Sequence, residues 1–377
     1  NGELRGEHVL ACPAGNCQGW WFDLTGHSDA GDDAVPALVA LAMASDSATL
    51  MQASAGLFQA APGIALVQAG LSGAWYAPRS AGQGFALQLL PGADGTTVFM
   101  PWFTFHWAST FPGVEGLQWY VLDGLIDPQD TVAELDIWLV TGGRFLEPGG
   151  DQVRVGRARL SFPSCSQALL DYHLDELFAG QSGPSLVPPM GPDGVIALHP
   201  LLPAGGPCVD NGSDDGGGDE APDMLRDPYL SGVWYDPATS GQGMVIQHLL
   251  GIGGDGEIEQ GPQSQDLLFG TWFSHDAAEP TGWLTDQHWF TFQSMPDAAP
   301  ETGAGVHAVI HQTVGSRLDG PATGNHYRVG EVELLPQSCR QLVLRWRFDD
   351  RIEAGQFRGL EGEIDLFRLG DCEYPLD

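Results

Sequence analysis

Self-similarity constrains this chain more than any other feature, because a sequence written twice must fold as two copies of one module. Leu71-Ser72-Gly73-Ala74-Trp75-Tyr76-Ala77-Pro78, continuing to Gly82-Gln83-Gly84-Phe85 and Gln88, returns with unchanged spacing as Leu230-Ser231-Gly232-Val233-Trp234-Tyr235-Asp236-Pro237, Gly241-Gln242-Gly243-Met244 and Gln247. Trp102-Phe103-Thr104 answers Trp272-Phe273-Ser274, and Gln118-Trp119-Tyr120 is matched to Gly282-Trp283-Leu284 across loops of different length. The block from Arg154-Val155-Gly156 to Ser164-Cys165 aligns without a gap to Arg328-Val329-Gly330 through Ser338-Cys339. Two homologous lobes follow, 71–208 and 230–377, with an unmatched extension over 1–70 and an acidic, glycine-rich linker over 209–229.

Within each lobe the apolar residues recur with period two. Phe85 to Leu89, Val98 to Phe105, Glu134 to Val140 and Leu342 to Phe348 all read as half-buried strands, and Gly and Pro clusters punctuate them as turns require. A lobe of this length holds about eight strands of ordinary size. The fold class is therefore all-β, with one antiparallel β-barrel or β-sandwich per lobe. A sandwich would leave free edges, and a strand from residues 1–70 of a neighbouring copy could cover one, which is a route to a homo-oligomer or filament. In the extension, Trp20-Trp21-Phe22 reads as a strand start, and the apolar run Val35 to Ala44 suits a short helix or a strand.

Forty-nine acidic residues against fifteen basic ones give a formal charge of −34, and every basic residue is arginine. The absence of lysine excludes a Walker-type phosphate loop and a lysine Schiff base. So negative a field also repels nucleic acid and anionic lipid, and no apolar run is long enough for helical membrane insertion. Six cysteines without a CxxC pair read as disulfides. The expected bridges are Cys12–Cys17, Cys165–Cys208 and Cys339–Cys372, the last two occupying equivalent places in the repeats and each worth about 3–4 kcal/mol on the chain-entropy model. The chain opens at Asn1 with no leader, as a mature exported product does, so an extracellular or cell-surface location is expected.

Flat aromatic faces beside amide or carboxylate groups are the chemistry of carbohydrate recognition. The candidate ligand-binding residues are Trp75, Tyr76, Gln83, Trp102 and Trp119 in the first lobe, with Trp234, Tyr235, Gln242, Trp272 and Trp283 in the second. The competing reading is that these repeated aromatics build two cores. In the linker, Asp210, Asp214, Asp215 and Asp219 supply hard oxygens for calcium, although their spacing fits no EF-hand loop and a plain linker is the favoured reading. His307 and His311 are four apart, which on a strand separates them by about 13 Å, so they are read with His106, His275 and His288 as strand residues and not as ligands. No nucleophile elbow, HExxH or catalytic-cysteine context appears. No catalytic residue and no cofactor other than calcium is assigned. The favoured function is a non-catalytic exported structural or adhesive protein that assembles with itself or binds a surface glycan; the alternative is a secreted hydrolase using carboxylates in a β-barrel mouth.

The order GxWYxP, GQGF or GQGM, WFT, a later aromatic pair and a cysteine-bounded end resembles a module of exported gammaproteobacterial proteins. That resemblance covers both lobes, leaves 1–70 outside, and implies secretion and a β-rich fold without catalytic residues. The opening Gly73-Ala74-Trp75 and Gly232-Val233-Trp234 are also similar to the GxW of calycins, the lipocalin and avidin group. This second resemblance implies a cation over the indole, which Arg368 would supply in lobe two and His199 in lobe one.

Overall fold

The computed structural model describes residues 63–80, 82–105, 116–175, 193–202, 205–209, 229–239, 241–251, 267–277, 286–294, 305–316, 318 and 325–370, with backbone alone at 7–8, 21–22 and 224–226. The chain divides into one unit over Asn1–Pro62 and a second over Gly63–Asp377. In the first, strands β1 (Glu7–His8) and β2 (Trp21–Phe22) pair antiparallel. The second unit carries both lobes.

Its first lobe is a closed antiparallel barrel of β3 (Gly73–Tyr76), β4 (Gly84–Gly92), β5 (Gly95–Phe105), β6 (Leu117–Ile126), β7 (Val132–Thr141), β8 (Asp151–Ser164), β9 (Gln167–Leu174) and β10 (Asp193–Pro200). β3 closes it by pairing with both β4 and β10. The alternation read from sequence sets the faces. In β7, Ala133, Leu135, Ile137 and Leu139 are buried inside while Glu134 and Asp136 face outward. An eight-stranded barrel is just wide enough for such side chains to fill it, and Trp75, Phe85, Trp102, Tyr120, Phe162 and Tyr172 do so. Ile64 and Leu66 join this core, with Ile64 N–H donating to the Phe162 carbonyl at 2.9 Å, so the lobe begins ahead of the repeat.

The second lobe repeats the plan. After β11 (Met224–Arg226) come β12 (Gly232–Tyr235), β13 (Gly243–Gly251), β14 (Leu267–His275), β15 (Gln287–Ser294), β16 (Val306–Val314), β17 (Asn325–Ser338), β18 (Gln341–Phe348) and β19 (Glu361–Leu369). β12 pairs with β13 and β19, and β13 with β14, which closes eight strands into a second barrel with β11 added alongside β13. Even the irregularities are duplicated. A bulge falls between Ile137 and Trp138 in one barrel and between Ile310 and His311 in the other. Of barrel and sandwich, the structure selects the barrel twice.

The strand register corrects two correspondences. Phe103 pairs with Trp119 as Phe273 pairs with Trp289, so the counterpart of Trp119 is Trp289 and not Trp283, which lies outside the described residues. The connections from Phe105 to Leu117 and from His275 to Gln287 are equally long, and a gapless alignment runs straight through them. Trp75 pairs with Pro200 where Trp234 pairs with Arg368, so His199 is one residue out of register for the closing cation of lobe one.

The Cys165–Cys208 disulfide is present, tying the end of β8 to the chain beyond β10. Cys339 is also disulfide-bonded. Its partner lies outside the described residues, as do Cys12, Cys17, Cys372, His106 and the linker aspartates Asp210, Asp214, Asp215 and Asp219. Among the described residues no helix is long and apolar enough to cross a membrane.

Candidate functional site

The repeated residues build a joint between the barrels. On the outer faces of β5, β6, β13, β14 and β15, alternation gives way to residues apolar on both sides, and Phe103, Phe105, Leu117 and Trp119 pack on Val245, Phe273 and Trp289. The polar bonds across this joint are reciprocal. Trp119 Nε1 donates to the Ser274 carbonyl at 2.8 Å, and Trp289 Nε1 donates to the Thr104 carbonyl at 2.8 Å, with Thr104 and Ser274 themselves equivalent. Such reciprocity is the mark of an isologous dimer, here within one chain.

The two glutamines of the GQG motifs serve the same joint. Gln242 Oε1 accepts from Leu146 N–H at 3.0 Å, and its Nε2 donates to the carbonyls of Arg144 and Glu147 at 2.9 and 3.0 Å. Gln83 reaches Ser316 in the matching loop of barrel two at 3.5 Å. Gly82 and Gly241 hold φ of +86° and +85°, a left-handed conformation that only glycine adopts without strain, and so aim both amides across the joint. The clasped loops each carry an apolar side chain into the other barrel. Phe145, from the β7–β8 loop of barrel one, lies in the core of barrel two beside Trp272 and Phe357, and Leu318 lies in the core of barrel one. Each barrel mouth is stopped by its neighbour.

Histidines sit in this packing uncharged. Burial is the main force on His275, pushing its pKa down to about 4 against smaller opposing effects of Asp286, and the ring leaves no room for a Cβ at Gly143. His288 is lowered by burial as well, partly offset by the Asp276 carboxylate bonded at 3.1 Å to its Nδ1. The folded protein thus keeps His275 neutral while the unfolded chain takes up a proton below about pH 6.5. Stability present above that pH is lost as pH falls toward 4, by about 3 kcal/mol from His275 alone. Urea midpoints measured from pH 7 to pH 4.5 are expected to fall steadily, less so for His275→Gln; equal slopes in the two proteins would refute this.

Beside the joint opens a groove of about 320 Å3. Phe99, Asp123, Trp138 and Gln152 from barrel one face Tyr235 and Leu369 from barrel two across it. Trp138 Nε1 donates to Asp123 Oδ1 at 2.6 Å, which ties the indole to the neighbouring strand and leaves the second carboxylate oxygen to accept from a ligand. Of the residues singled out from sequence, Tyr235 is half-buried along this groove, while Trp119, Trp234 and Gln242 lie beneath its wall and are buried. Trp75, Trp102 and Trp272 fill barrel interiors, Gln83 is buried at the joint, and Tyr76 is half-buried where β3 meets β4 and β10. Phe99, Asp123, Trp138 and Gln152 were not found from sequence. One signal was there: in Glu134-Leu135-Asp136-Ile137-Trp138 the alternation that points the two acids outward points Trp138 outward too.

Comparison with family models, curated proteins and solved structures finds no match for this chain.

Proposed function

We propose that the chain is a non-catalytic exported protein, structural or adhesive, that holds a surface glycan in the groove between its barrels. The supporting observation is the outward-facing Trp138, bonded to Asp123 and set beside Gln152 in a groove of about 320 Å3, a size at which small ligands are bound. A sugar ring stacks on the indole face while Asp123 and Gln152 bond its hydroxyls. Among the described residues the lining holds one carboxylate, Asp123, whereas glycoside hydrolysis uses a pair, which favours binding over the hydrolase reading. The Cys165–Cys208 bridge fits an oxidising, extracellular setting, and the charge of −34 disfavours nucleic acid and anionic membranes as partners. The test is a glycan array followed by titration of the best ligand. Trp138→Ala is expected to weaken binding at least tenfold, about 1.4 kcal/mol, without changing the thermal midpoint by more than a few degrees. An array without a hit, or a hit that Trp138→Ala leaves intact, would count against the reading.

A further inference from the structure

The groove holds one unbalanced charge. Asp123 is half-buried on the outer face of β6, opposite Phe99 of β5 and Asp136 of β7. The acids beside it on this face each have a base: Asp136 pairs with Arg154 at 2.5 Å and Glu134 with Arg159 at 2.9 Å. Among the described residues Asp123 has no such partner, and its Oδ1 accepts from the neutral Trp138 Nε1–H. The described lining contains no arginine or histidine either. Nor does the fold require an acid at this position. Its counterpart in barrel two is Gln293, which pairs with Phe269 as Asp123 pairs with Phe99. A neutral amide serves that strand position, and the carboxylate stands in the copy that borders the groove.

We infer that the ligand of this groove presents an organic ammonium group to Asp123, which on the glycan reading above, and resting on it, makes the ligand an amino sugar with its amine free. Phe99, Trp138 and Tyr235, all half-buried, border the same space. Aromatic faces attract ammonium groups, and a carboxylate adds a charge-assisted hydrogen bond. The Asp123 oxygen not bonded to Trp138 is the acceptor for that bond. Val121, Val140 and Leu369 also line the groove, and apolar walls strengthen a contact between opposite charges relative to open water. At longer range the formal charge of −34 attracts cations and turns away acidic sugars. A bare metal ion is served less well: among the described residues no three ligating side chains gather here, and aromatic rings supply none of the oxygens that hard cations take.

Calorimetric titration of the full chain with oligosaccharides of equal length, built from glucosamine, N-acetylglucosamine or glucose, tests the inference. The free amine is expected to bind at least tenfold more tightly than either neutral sugar. That comparison is made on the unaltered protein and does not depend on how a variant folds. Asp123→Asn keeps an oxygen for the Trp138 N–H and is expected to abolish the preference, with its thermal midpoint reporting that it is folded. Choline, an ammonium without a sugar ring, is titrated alongside. Neutral sugars bound as tightly as the amine, or a preference that survives in Asp123→Asn, would overturn the inference and leave the glycan reading standing. Choline bound through Asp123 while no sugar binds would uphold the ammonium site and overturn the glycan reading. Absence of binding by all four probes would overturn both.

Discussion

Phe145→Ala is expected to destabilise the protein by about 3–5 kcal/mol, the range for truncating a buried aromatic side chain. Phe145 is 9% exposed, and its ring centroid lies 5.0 Å from Phe357 and 5.4 Å from both Trp272 and Trp346. All three neighbours belong to the barrel that Phe145 does not, so the cavity opens across the joint from the mutated strand connection. Urea unfolding followed by tryptophan fluorescence measures the loss, and the change should appear in the emission of barrel two. The mirror substitution, Leu318→Ala, removes a smaller side chain that is 8% exposed in the core of barrel one, and about 2–4 kcal/mol is expected. A loss below 1 kcal/mol for Phe145→Ala would show that the barrels are closed without each other's help.

Trp234→Ala should cost a similar 3–5 kcal/mol, by a different route. The indole is 0% exposed, donates from Nε1 to the Leu230 carbonyl at 2.8 Å, and lies under the Arg368 guanidinium at 4.6 Å from its ring centroid. Arg368 in turn bonds the carbonyls of Tyr229, Ser231 and Cys339, so this stack pins the start of β12 to the last strand and to the β17–β18 turn. Truncation opens a large cavity and removes the surface on which the cation rests, a contact worth about 0.5–2 kcal/mol by itself. Trp234→Phe keeps a ring beneath Arg368 and should lose less than half as much. Chemical denaturation of the two variants side by side gives the comparison, and equal losses would mean that volume and the cation contribute nothing beyond the missing hydrogen bond.

Duplication, strand positions and the Cys165–Cys208 bridge were legible because each is written locally: as repeated spacing, as alternation, or as equivalent cysteines. What lies outside a strand is not written there. Trp119 and Phe103 point away from their own barrel and are buried only because a second barrel covers them. The sign of it was the run Met100 to Phe105, apolar at every position but Thr104, which a strand wet on one face does not carry. The loop side chains that stop the mouths were harder still. Gly142-Gly143-Arg144-Phe145 and Gly315-Ser316-Arg317-Leu318 do repeat, but one apolar residue in a loop has no period and gives no hint of where it goes. The Trp119 counterpart was misplaced because Trp283 offered a nearer look-alike, whereas equal loop lengths lead to Trp289.

The exchange of Phe145 and Leu318 makes the two halves unequal in time. A ribosome finishes the strands of barrel one at Pro200 but must read on to Leu318 before the residue that stops its mouth exists, while barrel two is born with Phe145 already waiting. For more than a hundred residues of synthesis the first barrel therefore stands open with apolar surface uncovered, the state in which nascent chains are most prone to wrong partners. A chain broken off between the repeats would lose both its lid and the cover for Trp119, so the early half is the one that a cell has to shelter.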